Sequence, residues 1–273
     1  MKANVREVLR RVYLEIGENE HEYFHRSQIR YTYVLTQLVD SGFPDQKKRL
    51  LDVGSHFLHT TMAASLLGYN CYGLDLGYFA CDNMLIKRAM KYGIRLGCFD
   101  LTDRRIPFKN HSFDFILFSE VLEHLAFSPV PVLAEFRRVL KPGGILLLTT
   151  PNVFSSGNRL RMLLGHENIY TSLDQYLEGP SFSIHWREYS MSEVQRLLQL
   201  SGLDVVISSY FNANLNTKGL IAGFVKRRIY PFFALLFQML SNCMFFLARK
   251  PAAEEINVVG RAKIMPSDMK VRG

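Results

Sequence analysis

The feature that most constrains this chain is a regular beat of strand-like and helix-like segments starting at Arg49. "RLLDVG" reads as a strand and "HTTMAASLLG" as a helix closed by Gly68. "CYGLDLG" is a second strand and "CDNMLIKRAMKYG" a second helix. "IRLGCFDL" and "FDFILFSE" are further strands, "PVLAEFRRVLKPGG" a helix ending at Gly143, and "ILLLTTPN" a fifth strand. Parallel neighbours need a crossover, usually a helix, so the alternation predicts an α/β, doubly wound, Rossmann-like, mostly parallel sheet. Downstream, "SMSEVQRLLQLSG" restores a helix with Ser190 or Ser192 as N-cap. "LDVVISSYF" is then the sixth strand and "INVVGRAKI" the seventh.

Three segments lie outside this beat. Residues 1–46 carry apolar positions such as Val5, Leu9, Val12, Leu35 and Leu38 at helical spacing and form an N-terminal helical cap to a domain spanning 47–273. Residues 152–190 form a long connection on the substrate side, the kind of loop that builds sites. Residues 213–252 are read as a C-terminal apolar helical insertion.

In an open parallel sheet, ligands sit beyond the carboxyl ends of the strands. Those ends here carry Asp52–Gly54, Asp75, Asp100 and Ser119–Glu120. Asp75 lies about 20 residues past the first loop, the separation at which an acid reaches ribose hydroxyls. The first loop begins like a nucleotide-binding loop at Gly54, then places His56 and Leu58 where further glycines are expected. A dinucleotide pyrophosphate needs close backbone approach there, so the loop argues against NAD.

These residues resemble the class I S-adenosylmethionine-dependent methyltransferases. The resemblance covers roughly Arg49 to Val206, most specifically "GCFDLTDRRIPFKNHSFDFILFSEVLEHL" followed by "RVLKPGGILLLTTPN", and looks like the small-molecule, "EVLEHL" branch. It implies S-adenosylmethionine as cofactor, which has no phosphate and tolerates an altered loop. It also implies that the first loop, with Asp52, Gly54 and His56, contacts the methionine part. Asp75 would bind the ribose, Asp100 approach the adenine amine with Leu101 beside it, and Ser119 lie near the methionine moiety.

"SEVLEHL" carries a second meaning. On a helix, Glu120, Glu123 and His124 converge at the first turn, with His185 following in the substrate-side segment. Two carboxylates and two imidazoles suit Mg²⁺, Mn²⁺ or Zn²⁺, and some relatives in the resembled family hold a metal this way. The metal-free reading is favoured. In it, His124 or His185, with Glu123 beside them, takes the proton of an alcohol or phenol acceptor, a task suited to an imidazole of pKa about 6.5.

Charge and composition narrow the partners. The formal charge of +8 favours anionic partners, but no basic–aromatic module accompanies it, so nucleic acid is not favoured. Cys71, Cys81, Cys98 and Cys243 show no CxxC pairing, and the N-terminus lacks a signal-peptide apolar core. A reduced, cytoplasmic chain with buried thiols is expected. Ile229–Ala248 is an apolar block flanked by Lys226, Arg227, Arg228, Arg249 and Lys250. It suits either an interfacial helix at an anionic membrane or a buried helix or subunit contact. The expected activity is O-methylation of a glycan or lipid-linked acceptor. A quinone-like small molecule comes next and RNA third, with a catalytically silent cofactor-binding partner subunit as the rival from another class.

Overall fold

The computed structural model describes residues 4–42, 45, 47–165, 171–213 and 238–252. Two N-terminal helices, α1 (Val5–Glu15) and α2 (Glu18–Ser41), precede the sheet. Then follow β1 (Arg49–Val53), α3 (His59–Leu67), β2 (Asn70–Asp75), α4 (Gly77–Ala80), α5 (Asn83–Lys91) and β3 (Arg95–Cys98). The second half runs β4 (Phe113–Ser119), α6 (Val130–Val139), β5 (Leu140–Pro151), α7 (Ser156–Leu163), α8 (Leu173–Glu178), α9 (Met191–Leu200), β6 (Asp204–Phe211) and β7 (Cys243–Arg249). The seven strands form one sheet in the order β3-β2-β1-β4-β5-β7-β6. β1 to β5 pair in parallel, and β7 is antiparallel to both neighbours. The chain thus reverses direction of growth between β1 and β4, and the crevice of a doubly wound sheet opens beyond that point.

Two expected boundaries move. The helix expected to end at Gly143 stops at Val139, and Leu140 already pairs with Phe113 as the start of β5. The seventh strand is not "INVVGRAKI", which lies outside the described residues, but "CMFFLAR" inside the apolar block. Its side chains alternate: Cys243, Phe245 and Leu247 join the core on the α1–α3 side, while Met244, Phe246 and Ala248 join the core on the α6 side. A strand buried on both faces reads as an unbroken apolar run, and a buried helix reads the same way over so few residues. These residues are core rather than membrane-facing. Lys250 is buried too, with its Nζ donating to Leu140 O at 2.8 Å, so it does not reach outward to headgroups. The rest of the block up to residue 237 lies outside the described residues, and no helix among them is long and apolar enough to cross a membrane.

Other local features follow their sequence signals. Ser190 caps α9 in a reciprocal capping box: its Oγ accepts from Glu193 N, and Glu193 Oε2 accepts from Ser190 N at 2.8 Å. All four cysteines are free, but only Cys71 and Cys243 are buried; Cys81 and Cys98 are exposed.

Candidate active site

Beyond the carboxyl ends of β1, β2, β3 and β4 lies a cleft of about 530 Å³. Gly54, His56, Asp75, Asp100, Leu101, Ser119 and His124 all line it. Four separate strand ends and the turn after β4 therefore meet in one place, as the sheet topology requires. Tyr23, Phe79, Phe99, Phe127, Phe182 and Trp186 add an aromatic wall.

The first loop answers the question its sequence raises. Gly54 has φ +77°, and His56 and Leu58 also hold positive φ, at 46° and 66°. The loop follows a glycine-like course without the glycines. Left-handed backbone costs a residue with Cβ about 1–2 kcal/mol, so the surrounding structure must hold it. His56 N donates to Asp75 Oδ2 at 2.6 Å, and Leu58 is fully buried. Asp75 Oδ1 accepts from Leu76 N at 2.8 Å. Burial pushes its carboxyl pKa up, against the pull of those two amide bonds. Asp100 is more exposed, and its Oδ1 accepts from the Thr102 amide and hydroxyl, both at 2.8 Å. Ser119 Oγ and His56 Nδ1 are buried without a hydrogen-bond partner among the described residues. Orphaned polar atoms on the wall of a cleft fit a ligand that completes them.

Asp52 differs from the other strand-end acids. It does not line the cleft; its Oδ2 accepts from Thr61 Oγ1 of α3 at 2.6 Å. Burial raises its pKa to about 7, the Thr61 bond opposes this, and nearby Asp75 adds to it. A group whose pKa is higher folded than unfolded contributes stability below its unfolded pKa and loses it as pH rises through the folded one. Asp52→Asn should therefore leave stability at pH 4 nearly unchanged and raise it by about 4 kcal/mol at pH 8, measured by denaturant unfolding at both pH values. Equal effects at the two pH values would mean that Asp52 carries its charge in the fold.

The "SEVLEHL" turn is not an α-helix. Glu120 has φ +55°, and Leu122–His124 form a single 3-10 turn. The Glu120 carboxylate meets α2, where Arg30 Nη1 lies 3.2 Å from its Oε2, and the Cys243 thiol donates to its Oε1. Among the described residues, Glu120 does not join the compact group of potential ligand atoms. Glu123, His124 and His185 do come together, with one ligand atom from each within 4.8 Å of the others. The two imidazole rings meet edge-on, centroids 4.8 Å apart. His124 Nδ1 bonds Ile184 O at 3.0 Å and His185 Nδ1 bonds Glu188 Oε1 at 3.1 Å. Both acceptors demand a proton on Nδ1, so in a neutral ring the lone pair falls on Nε2. Burial lowers the His124 pKa to about 4, helped by neighbouring His185. Glu123 is buried, and burial followed by the charge of Glu120 raises its carboxyl well above the usual range. Its Oε2 accepts from Thr150 Oγ1 at 3.0 Å, while Oε1 has no hydrogen-bond partner among the described residues.

Comparison with known proteins agrees with the fold. Residues 51–148 match the family described as a methyltransferase domain. Over those residues the chain carries a domain of the S-adenosylmethionine-dependent methyltransferase kind. It is an enzyme of that class, with S-adenosylmethionine as cofactor. Among curated relatives it is similar to a ubiquinone biosynthesis O-methyltransferase of Roseobacter denitrificans, 28% identical over 187 residues, or 65% of this chain and 71% of that one. A second relative of the same description, from Dinoroseobacter shibae, is 27% identical over 188 residues. Among solved structures it shares its fold with phosphoethanolamine N-methyltransferase 2 of Haemonchus contortus in complex with S-adenosyl-L-methionine. That match has a TM-score of 0.55 at 18% identity, over 80% of this chain and 52% of that one.

Several site residues escaped the sequence reading of this methyltransferase. Tyr23 and Arg30 reach the cleft and the Glu120 turn from α2, far away in sequence. One signal existed: Glu20, Phe24, Ser27 and Tyr31 share the buried face of α2, so a carboxylate stands on a stripe that is otherwise uncharged.

Proposed function

We propose that this methyltransferase O-methylates a small aromatic alcohol, a phenol or catechol of the quinone-precursor kind. The observation that carries this reading is the imidazole pair beside the cleft, each ring with Nδ1 satisfied and Nε2 open. The relatives named for ubiquinone biosynthesis O-methylation support the same choice of acceptor. A glycan or lipid-linked acceptor drew on an apolar helix, and residues 243–249 of that block are core strand instead.

S-adenosylmethionine, when bound, supplies an electrophilic methyl on a sulfonium. In the proposal, the first loop and Ser119 hold its amino-acid end, Asp75 its ribose and Asp100 with Leu101 its base. The aromatic wall stacks the acceptor ring and excludes water. His124 Nε2 receives the acceptor's hydroxyl proton as the oxygen becomes methylated. The cleft continues past Phe127 and Trp186 into a wider groove that includes Tyr189 and Leu197, with room for an apolar substituent on the acceptor.

The Glu123–His124–His185 cluster favours one second reading. Two imidazoles and an orphaned carboxylate oxygen form a donor set that a divalent cation accepts, and the Nδ1 bonds to Ile184 O and Glu188 would orient the rings for it. In that case the cation, rather than His124, would polarise the acceptor oxygen.

The cofactor assignment is tested on Asp75. Asp75→Ala removes a charge-assisted bond worth roughly 1.5–3 kcal/mol, so affinity for S-adenosylmethionine should fall at least about 10-fold by isothermal titration. Unchanged affinity in the folded variant would place the ribose elsewhere. Product mass, with phenols, catechols, glycans and RNA offered in parallel, tests the acceptor.

A further inference from the structure

The left-handed course of the first loop needs a support, and the structure contains one outside the cleft. Arg88 of α5 donates from Nη1 to Phe57 O at 2.8 Å, gripping the carbonyl between the two strained residues His56 and Leu58. The same guanidinium forks onto Glu20 of α2, with Nη2 to Oε1 at 2.7 Å and Nη1 to Oε2 at 2.8 Å. Glu20 Oε2 also takes a bond from His59 Nε2 at 2.7 Å, and His59 is the residue directly after Leu58. Tyr31, also of α2, bonds the other nitrogen of that ring at 3.3 Å. Glu20, His59 and Arg88 are all buried, and none of them lines the cleft. Burial alone would push the Glu20 carboxyl up, but the His59 and Arg88 bonds hold it down to about 2.

We propose that Glu20 and Arg88 are positioning residues for the cofactor: together they hold His56–Leu58 in the left-handed course, so that affinity for S-adenosylmethionine depends on a clamp the ligand never touches. The inference rests on the cofactor reading of the first loop. The segment is fixed at both ends. The His56 amide is bound to Asp75, and the Phe57 carbonyl to Arg88. Loosening the second attachment frees the loop to relax toward right-handed backbone, which withdraws the His56 amide from Asp75 and misplaces both groups. A buried ion pair is a poor way to gain stability over apolar packing, but a good way to fix one geometry. A planar fork that reaches a carboxylate and a carbonyl at once is a task for arginine and not for lysine.

The test measures cofactor affinity and thermal stability side by side. Arg88→Lys keeps the charge but loses the fork, and Glu20→Gln keeps the shape but loses the charge. Each folded variant should bind S-adenosylmethionine about 10-fold more weakly by isothermal titration, at unchanged stoichiometry. The double variant should be little weaker than either single one, because the pair acts as a unit. A lower melting temperature with unchanged affinity would overturn the proposal and leave a purely structural ion pair. Hydrogen exchange on the wild type gives an answer even if the variants do not fold. Cofactor binding should slow exchange in α5, residues 83–91, which do not line the cleft. Protection confined to cleft-lining segments would also overturn it. If the wild type bound no S-adenosylmethionine at all, the cofactor reading beneath the proposal would fail first, a result distinct from the other two.

Discussion

Gly54→Ala is expected to weaken S-adenosylmethionine binding by at least about 100-fold, equivalent to ~2.7 kcal/mol. Two costs add at this position. The backbone holds φ +77°, where a Cβ is strained, and the added carbon would meet Val121 Cγ2 at 2.3 Å. Val121 belongs to the turn after β4, so relief of the clash moves either the first loop or the Glu120–His124 turn, and both line the cleft. Gly143→Ala is the control. It has a similar φ of +73° but nothing within 4 Å of the added carbon. It should cost about 1 kcal/mol of stability from backbone strain alone and leave cofactor affinity level. Titration calorimetry on both variants separates strain from contact. Equal and small effects would mean that the loop tolerates displacement and that close approach to Val121 is not what Gly54 provides.

The contrast between Gly54 and its two successors shows how far the sequence could be read. Gly54 was legible because glycine at a strand-to-helix turn has a backbone reason. His56 and Leu58 looked like departures, yet the backbone course survives in them, held by Asp75, Arg88 and the burial of Leu58. Residue type reports the cost of a conformation, not whether distant groups offset it. The strand-end acids Asp75 and Asp100 were legible because alternation fixes which strand ends face one crevice. β7 was harder. Its pairing with β5 and β6 is non-local, and a run buried on both faces has no period to read. The Glu120–His124 turn failed for a local reason: positive φ at Glu120 breaks the helix that spacing alone suggested, and Arg30 then claims the carboxylate.

His124→Gln is the variant expected to separate chemistry from binding. If His124 Nε2 takes the acceptor proton, kcat should fall by about 10²–10⁴-fold, while the dissociation constant for S-adenosylmethionine stays within about two-fold. The wild-type pH profile gives an independent reading. Burial holds His124 near 4, below the ordinary imidazole value, so the neutral ring persists through pH 6.5 and kcat should show no acid limb there. A limb at 6.5 would transfer the role to a more solvated group. Chelation then decides between the two chemistries at the same three residues. With His124 as the base, a chelator leaves kcat unchanged. Loss of activity that Mg²⁺, Mn²⁺ or Zn²⁺ restores would make Glu123, His124 and His185 ligands. The low pKa argues in neither direction by itself, because an imidazole kept neutral by burial is equally ready to accept a proton or a cation. The geometry narrows the choice to the open Nε2 atoms and Glu123 Oε1, and the response to chelation assigns them.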